Sequence, residues 1–362
     1  MVLALAKELE LRKDEFKQQK VETIYFGGGT PSVLTIDELR FLIENVHKHY
    51  DVVDHPEITL EANPDDLVTR FNEFSALVPE AALPNSIFEA YREIGINRLS
   101  IGIQSFFEAD LKLMNRAHNQ QEAIDCLEEA TRHFDNISID LIYGIPGLSN
   151  AHWLENIDKA LSYNIPHISS YALTVEPKTA LQRFIKKGII DDVDDAVAQE
   201  QFQLLVDKLE AKGFVHYELS NFAKEGYLSK NNSAYWLGKS YIGIGPSAHS
   251  FNGTQRSWNV RNNSKYITAL SAGQLPMETE TLTQTDKYNE YIMTGLRTVW
   301  GVSLEKIMQD FGESYKSYLL QQAEVFIEKQ LLHLEHETLK VTKKGKFLSD
   351  GIASDLFMLN LE

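Results

Sequence analysis

The chain has 362 residues, 43% hydrophobic and 24% charged, a globular balance long enough to bury one large core and a smaller one. With 35 Lys+Arg against 52 Asp+Glu, the net charge of −17 argues against a nucleic-acid backbone or an anionic membrane face as the main partner. A single cysteine, Cys126, excludes a disulfide within the chain, and the balance reads as an acidic, soluble, cytoplasmic protein.

In chain order, MVLALAKELELRK opens as an amphipathic helix: its apolar run is broken by Lys7 and Glu8, and no small-residue cleavage site follows. No later stretch approaches the roughly 20 uninterrupted apolar residues of a membrane span. From residue 21 to about 175, short β-rich runs alternate with amphipathic helices, the rhythm of parallel βα units. The strands are VETIYF (21–26), EITLEA (57–62), RLSIGIQ (98–104), NISIDLIY (136–143) and HISSYALTV (167–175), read as nearly continuous apolar runs of strands covered on both faces. The opening helix behaves like one that follows a strand, so the chain is expected to begin in the middle of a βα unit. Cys126 falls in the helical stretch AIDCLEEATRHF and is expected to be a buried small hydrophobe.

After 175 a helix at about 194–211 is followed by GFVHYELSNFA and NNSAYWLGKSYIGIGPSAHSFNG, which read as extra sheet and loop covering the barrel mouth. From about 280, helices, a small hairpin and a last helix are expected to make a compact α+β unit of winged-helix-like outline. The expected class is α/β: a partial parallel barrel over residues 1–225, a Gly/aromatic connecting segment over 226–279 and a C-terminal domain over 280–362.

The strand ends carry the chemistry. Gly27, Gly28 and Gly29 follow the first strand, so bare backbone can approach a ligand there; a tight βα turn is the plain alternative. Glu61 ends the second strand, where a carboxylate needs a positive or donor partner. Gln104 offers an amide donor and acceptor suited to a ribose diol, and Arg116 a planar cation suited to a carboxylate. Asp140, flanked by apolar residues on a strand, wants donors, either nucleoside hydroxyls or a structural backbone cap.

The ordered series FGGGTPS (26–32), EANP (61–64), GIQSF (102–106), Arg116 to His118, DLIYG (140–144) and YALTVEP (171–177) resembles the oxygen-independent coproporphyrinogen oxidase family of radical SAM proteins over almost the whole chain. The resemblance implies a (β/α)6-type radical SAM barrel and an S-adenosylmethionine site. In that site Gly28, Gly29 and Thr30 would receive the amino group, with Glu61, Gln104, Arg116 and Asp140 as further contacts. The family's HemW subgroup, haem chaperones rather than oxidases, carries an HNxxYW motif. Here Asn232, Tyr235 and Trp236 match it, but Asn231 stands where the histidine belongs, and an amide is a poor iron ligand. His249, in PSAHSF, is the nearest alternative haem ligand.

The family's CxxxCxxC, which holds a [4Fe–4S] cluster, is absent. It belongs on the loop after the first barrel strand, before the opening helix, so an N-terminally truncated chain or misplaced start codon is the expected explanation rather than a cluster-free descendant. The cluster is therefore expected only in a longer parent. The stretch VTRFNEFSALVPEAALP (68–84) reads as an insertion near the site. The expected function is a haem chaperone that delivers haem to haem-dependent proteins. The alternatives are an oxygen-independent coproporphyrinogen III oxidase of porphyrin biosynthesis and an inactive truncated chain, so whether the chain is an enzyme stays open.

Overall fold

The computed structural model describes residues 1–68 and 86–359; all but the first residue of the expected insertion at 68–84 lies outside them. Five parallel strands, β1 (Val21–Phe26), β2 (Val52–Ala62), β3 (Arg98–Gln104), β4 (Ile137–Tyr143) and β5 (His167–Ala172), lie side by side in chain order. A helix follows most of them. Ile36–His49 and Gln120–His133 start on reciprocal capping boxes, Thr35 with Glu38 and Asn119 with Glu122, which fix where each βα loop ends and its helix begins.

The strands differ from the expected doubly apolar runs. RLSIGIQ alternates strictly: Leu99, Ile101 and Ile103 turn outward onto the helices, while Arg98, Ser100, Gly102 and Gln104 turn to the other face. The same parity puts Ile58 and Leu60, Ile137 and Ile139, and Ile168 into the outer core with Phe88, Trp153 and Phe202. A curled half-barrel needs only its convex face dry; its concave face is free to be polar.

GFVHYELSNFA does not cover the mouth. It forms the hairpin β6 (Val215–Glu218) and β7 (Asn221–Ala223), and β7 pairs antiparallel with β5, so the hairpin widens the main sheet to seven strands, in the order β1-β2-β3-β4-β5-β7-β6. The backbone edge of β5 would otherwise be left unpaired, and the apolar Phe222 and Ala223 have a core to join there.

A second sheet of β8 (His249–Phe251), β9 (Gln255–Asn259) and β10 (Met277–Thr281), with the helix Asn263–Ser271, packs against the opening helix Val2–Arg12. The bond between them is polar. Glu8, fully buried, accepts from Arg12 Nη1 (3.1 Å), Asn259 Nδ2 (2.7 Å), the Gly245 N–H (2.9 Å) and the Tyr266 hydroxyl (2.5 Å). A third sheet, β11 (Val302–Ser303), β13 (Thr338–Val341) and β12 (Leu332–Glu335), builds its own core with the helices Gln284–Leu296, Leu304–Phe311 and Glu313–Glu328.

Candidate functional site: the polar face of the half-barrel

Directly paired residues share a face, so the strand register reads out the concave lining. One row runs Tyr25, Thr59, Arg98; the next Glu61, Ser100, Ser138, His167; the next Asp140, Ser169, Asn221. Glu61 has the donors its position demands: the Tyr25 hydroxyl donates to Oε1 at 2.7 Å and the Gly28 N–H to Oε2 at 3.0 Å. A Cβ on Gly27 would stand 2.5 Å from the Tyr25 ring and 2.9 Å from Glu61 Oε1, so only glycine lets strand, tyrosine and carboxylate meet. Gly28 and Gly29 have φ of 77° and 73°, and nothing lies within 4 Å of where a side chain would start. The turn is open backbone, and Thr30 carries it into the short helix Pro31–Val33.

At the end of β3, Gln104 holds φ at 66°, a left-handed conformation that costs a non-glycine residue about 1 kcal/mol or more. A Cβ on the neighbouring Gly102 would lie 2.8 Å from Gln104 Nε2, 3.4 Å from Arg116 Nη2 and 3.7 Å from Asn63 Oδ1. The glycine is thus a cradle over which an amide, a guanidinium and a second amide converge. Arg116 Nη2 also donates to Asn63 Oδ1 at 3.4 Å.

Asp140, half-buried on β4, lies two residues beyond Ser138 on the same face. Burial, reinforced by the nearby Glu61 charge, pushes its carboxyl up to about 7, against the pull of Arg98, a Ser169 hydrogen bond and Arg116. Glu61 and Asp140 therefore face one space as two carboxyls of which the second is half protonated near neutrality. Arg98, 2% exposed, has its nearest carboxylate in Glu57 at 4.0 Å, and its Nε lacks a hydrogen-bond partner. His167, driven well below its usual value by burial, stays a neutral bridge between the Ser138 hydroxyl (2.7 Å) and the Tyr217 hydroxyl (2.8 Å).

The structure therefore gathers Gly28, Gly29, Glu61, Gln104, Arg116 and Asp140 around one concave face. Tyr25, Asn63, Arg98 and Ser169 belong to the same lining and escaped the sequence reading; the strict alternation of β3 and the polar residues at matching parity on its neighbours were the signal.

The haem candidates lie elsewhere. Asn232, Tyr235 and Trp236 are on the helix Lys230–Trp236, whose first two amides donate to Glu57 at 3.1 and 3.0 Å. Asn231 accepts from the Thr23 hydroxyl of β1 at 3.1 Å. Tyr235 meets Tyr241 edge-on at 4.4 Å, whereas the Arg297 guanidinium lies over the Trp236 ring at 5.4 Å, so the adjacent aromatics serve different neighbours. His249 is exposed on β8.

A curled parallel sheet with helices on its convex side and converging polar strand ends on its concave side is the architecture of a radical SAM half-barrel. The sequence matches the Radical SAM superfamily over residues 4–160 and the HemN C-terminal domain over residues 282–348. It is 32% identical to the haem chaperone HemW of Bacillus subtilis, covering 92% of this chain and 85% of that protein. It is 31% identical to HemW of Mycobacterium tuberculosis, covering 98% and 85%. The coproporphyrinogen III oxidase HemN of Escherichia coli shares the fold at a TM-score of 0.79 and 21% identity, over 98% of this chain and 82% of that one. The chain belongs to the HemW family of the radical SAM superfamily.

The lining fits S-adenosylmethionine: an open glycine turn, two carboxyls for an ammonium and a diol, and a guanidinium for a carboxylate are the complements of a zwitterionic nucleoside. It does not fit the [4Fe–4S] cluster on which this superfamily cleaves that molecule. Three thiolates are needed, and this chain has one cysteine, packed inside the helix Gln120–His133 with its thiol pushed far up by burial. Among the described residues no group of three or more His, Cys, Asp or Glu could hold a metal ion, and no helix is long and apolar enough to cross a membrane.

Proposed function

We propose that this protein is a haem-binding chaperone that takes up haem and hands it to haem-dependent proteins, in a cytoplasmic setting. The observation that carries the reading is similarity to HemW haem chaperones across more than nine-tenths of the chain. Oxidase activity on coproporphyrinogen has behind it the fold shared with HemN at 21% identity and the HemN C-terminal-domain match over residues 282–348, and a single cysteine does not supply the three thiolates of a cluster.

In this reading the concave face binds S-adenosylmethionine as a ligand. Arg116 and Gln104 take its carboxylate and a ribose hydroxyl, Glu61 and the Gly28–Gly29–Thr30 turn its ammonium, and Asp140 a second hydroxyl. Burying these charges against one another makes the face selective for a molecule that carries both signs. Haem, the cargo, is held outside this face, with His249, Asn232, Tyr235 and Trp236 as its candidate contacts.

Titrating haem into residues 1–362 tests the reading. A saturable one-to-one complex with a shifted Soret band, and no consumption of coproporphyrinogen III by the same preparation, is expected. A flat titration, with haem showing only the spectrum it has in buffer, would overturn it.

A further inference from the structure

The face of the β8–β10 sheet that carries His249 opens on a surface cavity of about 800 Å³, built apart from the half-barrel lining. Its floor follows from the register. His249 pairs with Trp258 and Trp258 with Glu278, and in the next layer the Val260 N–H donates to the Pro276 carbonyl at 2.8 Å. Because alternate residues share a face, an imidazole, an indole and two small apolar side chains line one surface. The imidazole and indole centroids are 6.3 Å apart at 34°.

Arg261 and the helix Asn263–Ser271 form the wall, with Lys265 and Ala269 one turn apart on the side toward the floor. Among the described residues neither the Arg261 guanidinium nor the Lys265 ammonium is in an ion pair or hydrogen bond, in a chain of net charge −17 where acids outnumber bases. Glu278 is the one acid of the lining, two strand spacings or about 10 Å from His249.

We infer that this cavity seats the tetrapyrrole, with His249 ligating its iron, Trp258 against the macrocycle and Arg261 and Lys265 on its two carboxylates. The inference rests on the haem-chaperone reading and adds the place. The volume falls in the roughly 300–1,000 Å³ range of small-molecule sites. The floor is one face of a three-stranded sheet, exposed imidazole is a haem-iron ligand, and two free cations on one rim match a dicarboxylate. An aromatic path leads there from the HNxxYW-like helix: Tyr235 meets Tyr241, Tyr241 lies 6.3 Å from Phe251, and Phe251 is two residues along β8 from His249 on the same face.

The test uses the full chain with hemin and with iron-free protoporphyrin IX as probes. His249→Ala should weaken hemin about tenfold or more and abolish the histidine-ligated Soret position while leaving protoporphyrin IX affinity unchanged, since only the iron uses the imidazole. The double variant R261A/K265A should weaken both probes. All three side chains are exposed, and equal melting temperatures check that the fold is intact. Hemin binding by His249→Ala with the wild-type spectrum and affinity overturns the inference and leaves the chaperone reading standing. Loss of protoporphyrin IX together with hemin in His249→Ala also overturns the iron-ligand role. A wild-type chain that binds no hemin overturns both.

Discussion

The Tyr25 hydroxyl donates to Glu61 Oε1 at 2.7 Å, so the penultimate residue of β1, just ahead of a glycine turn whose Gly28 amide reaches the same carboxylate, is locked to the next strand. Burial and the Glu61 charge hold the Tyr25 phenol well above its usual value, which keeps it a donor at every physiological pH. Glu61 is thereby oriented with one oxygen on Tyr25, the other on the Gly28 amide, and lone pairs left on both for an incoming cation.

Glu61→Gln removes the charge but keeps the shape. S-adenosylmethionine binding, measured by saturation-transfer NMR, is expected to fall about tenfold or more, the range of a lost charge-assisted contact. Tyr25→Phe is expected to weaken it less. Unchanged binding in Glu61→Gln would remove this carboxylate from the site.

Asp140 makes stability depend on pH in a sense opposite to most carboxyls. Its folded value of about 7 lies above the unfolded 3.8, so the folded state keeps a proton that the unfolded chain releases. The associated stability is complete below about pH 4 and is lost as pH rises toward 7. Asp140→Asn does not titrate, so its stability relative to wild type is expected to rise between pH 4 and 8 by on the order of 4 kcal/mol. Urea denaturation at both pH values reads this difference directly; a constant difference would refute it.

Glu8 holds the opening helix to the sheet that bears the cavity. Glu8→Ala leaves Arg12, Asn259 and Tyr266 with unmet donors in a buried place and is expected to cost about 3–5 kcal/mol. Because Tyr266 belongs to the helix walling the cavity, haem affinity should fall with it. A thermal melt and a hemin titration of the same variant check both.

Anaerobic reconstitution of residues 1–362 with iron and sulfide is expected to give no [4Fe–4S] absorbance, and Cys126 should not react with a thiol reagent until the chain is unfolded. A near-stoichiometric cluster signal would contradict this.

Much of the half-barrel was legible because β-rich runs and capped helices alternate along the chain; all five expected strands form, with β2 starting at Val52 rather than 57 and β5 ending at Ala172 rather than 175. Glu61 and Asp140 were legible as carboxyls in strands. Tyr25 and Arg98 were not, because reading RLSIGIQ and VETIYF as uniformly apolar hid the face on which they meet. The β6–β7 hairpin was also missed: nothing local in GFVHYELSNFA says which open sheet edge will accept it. The convergence of Gln104, Arg116 and Asn63 depends on a positive φ at Gln104 and a missing Cβ at Gly102, and neither follows from residue type.

Hydrogen–deuterium exchange of the full chain with and without saturating S-adenosylmethionine tests the central claim, that the polar strand ends form the ligand site. Slower exchange is expected in peptides covering Tyr25 to Thr30, Glu61 to Asn63 and Gly102 to Gln104, with no change over Ser247 to Glu278. Unchanged exchange at the three strand ends, or protection confined to Ser247 to Glu278, would contradict it.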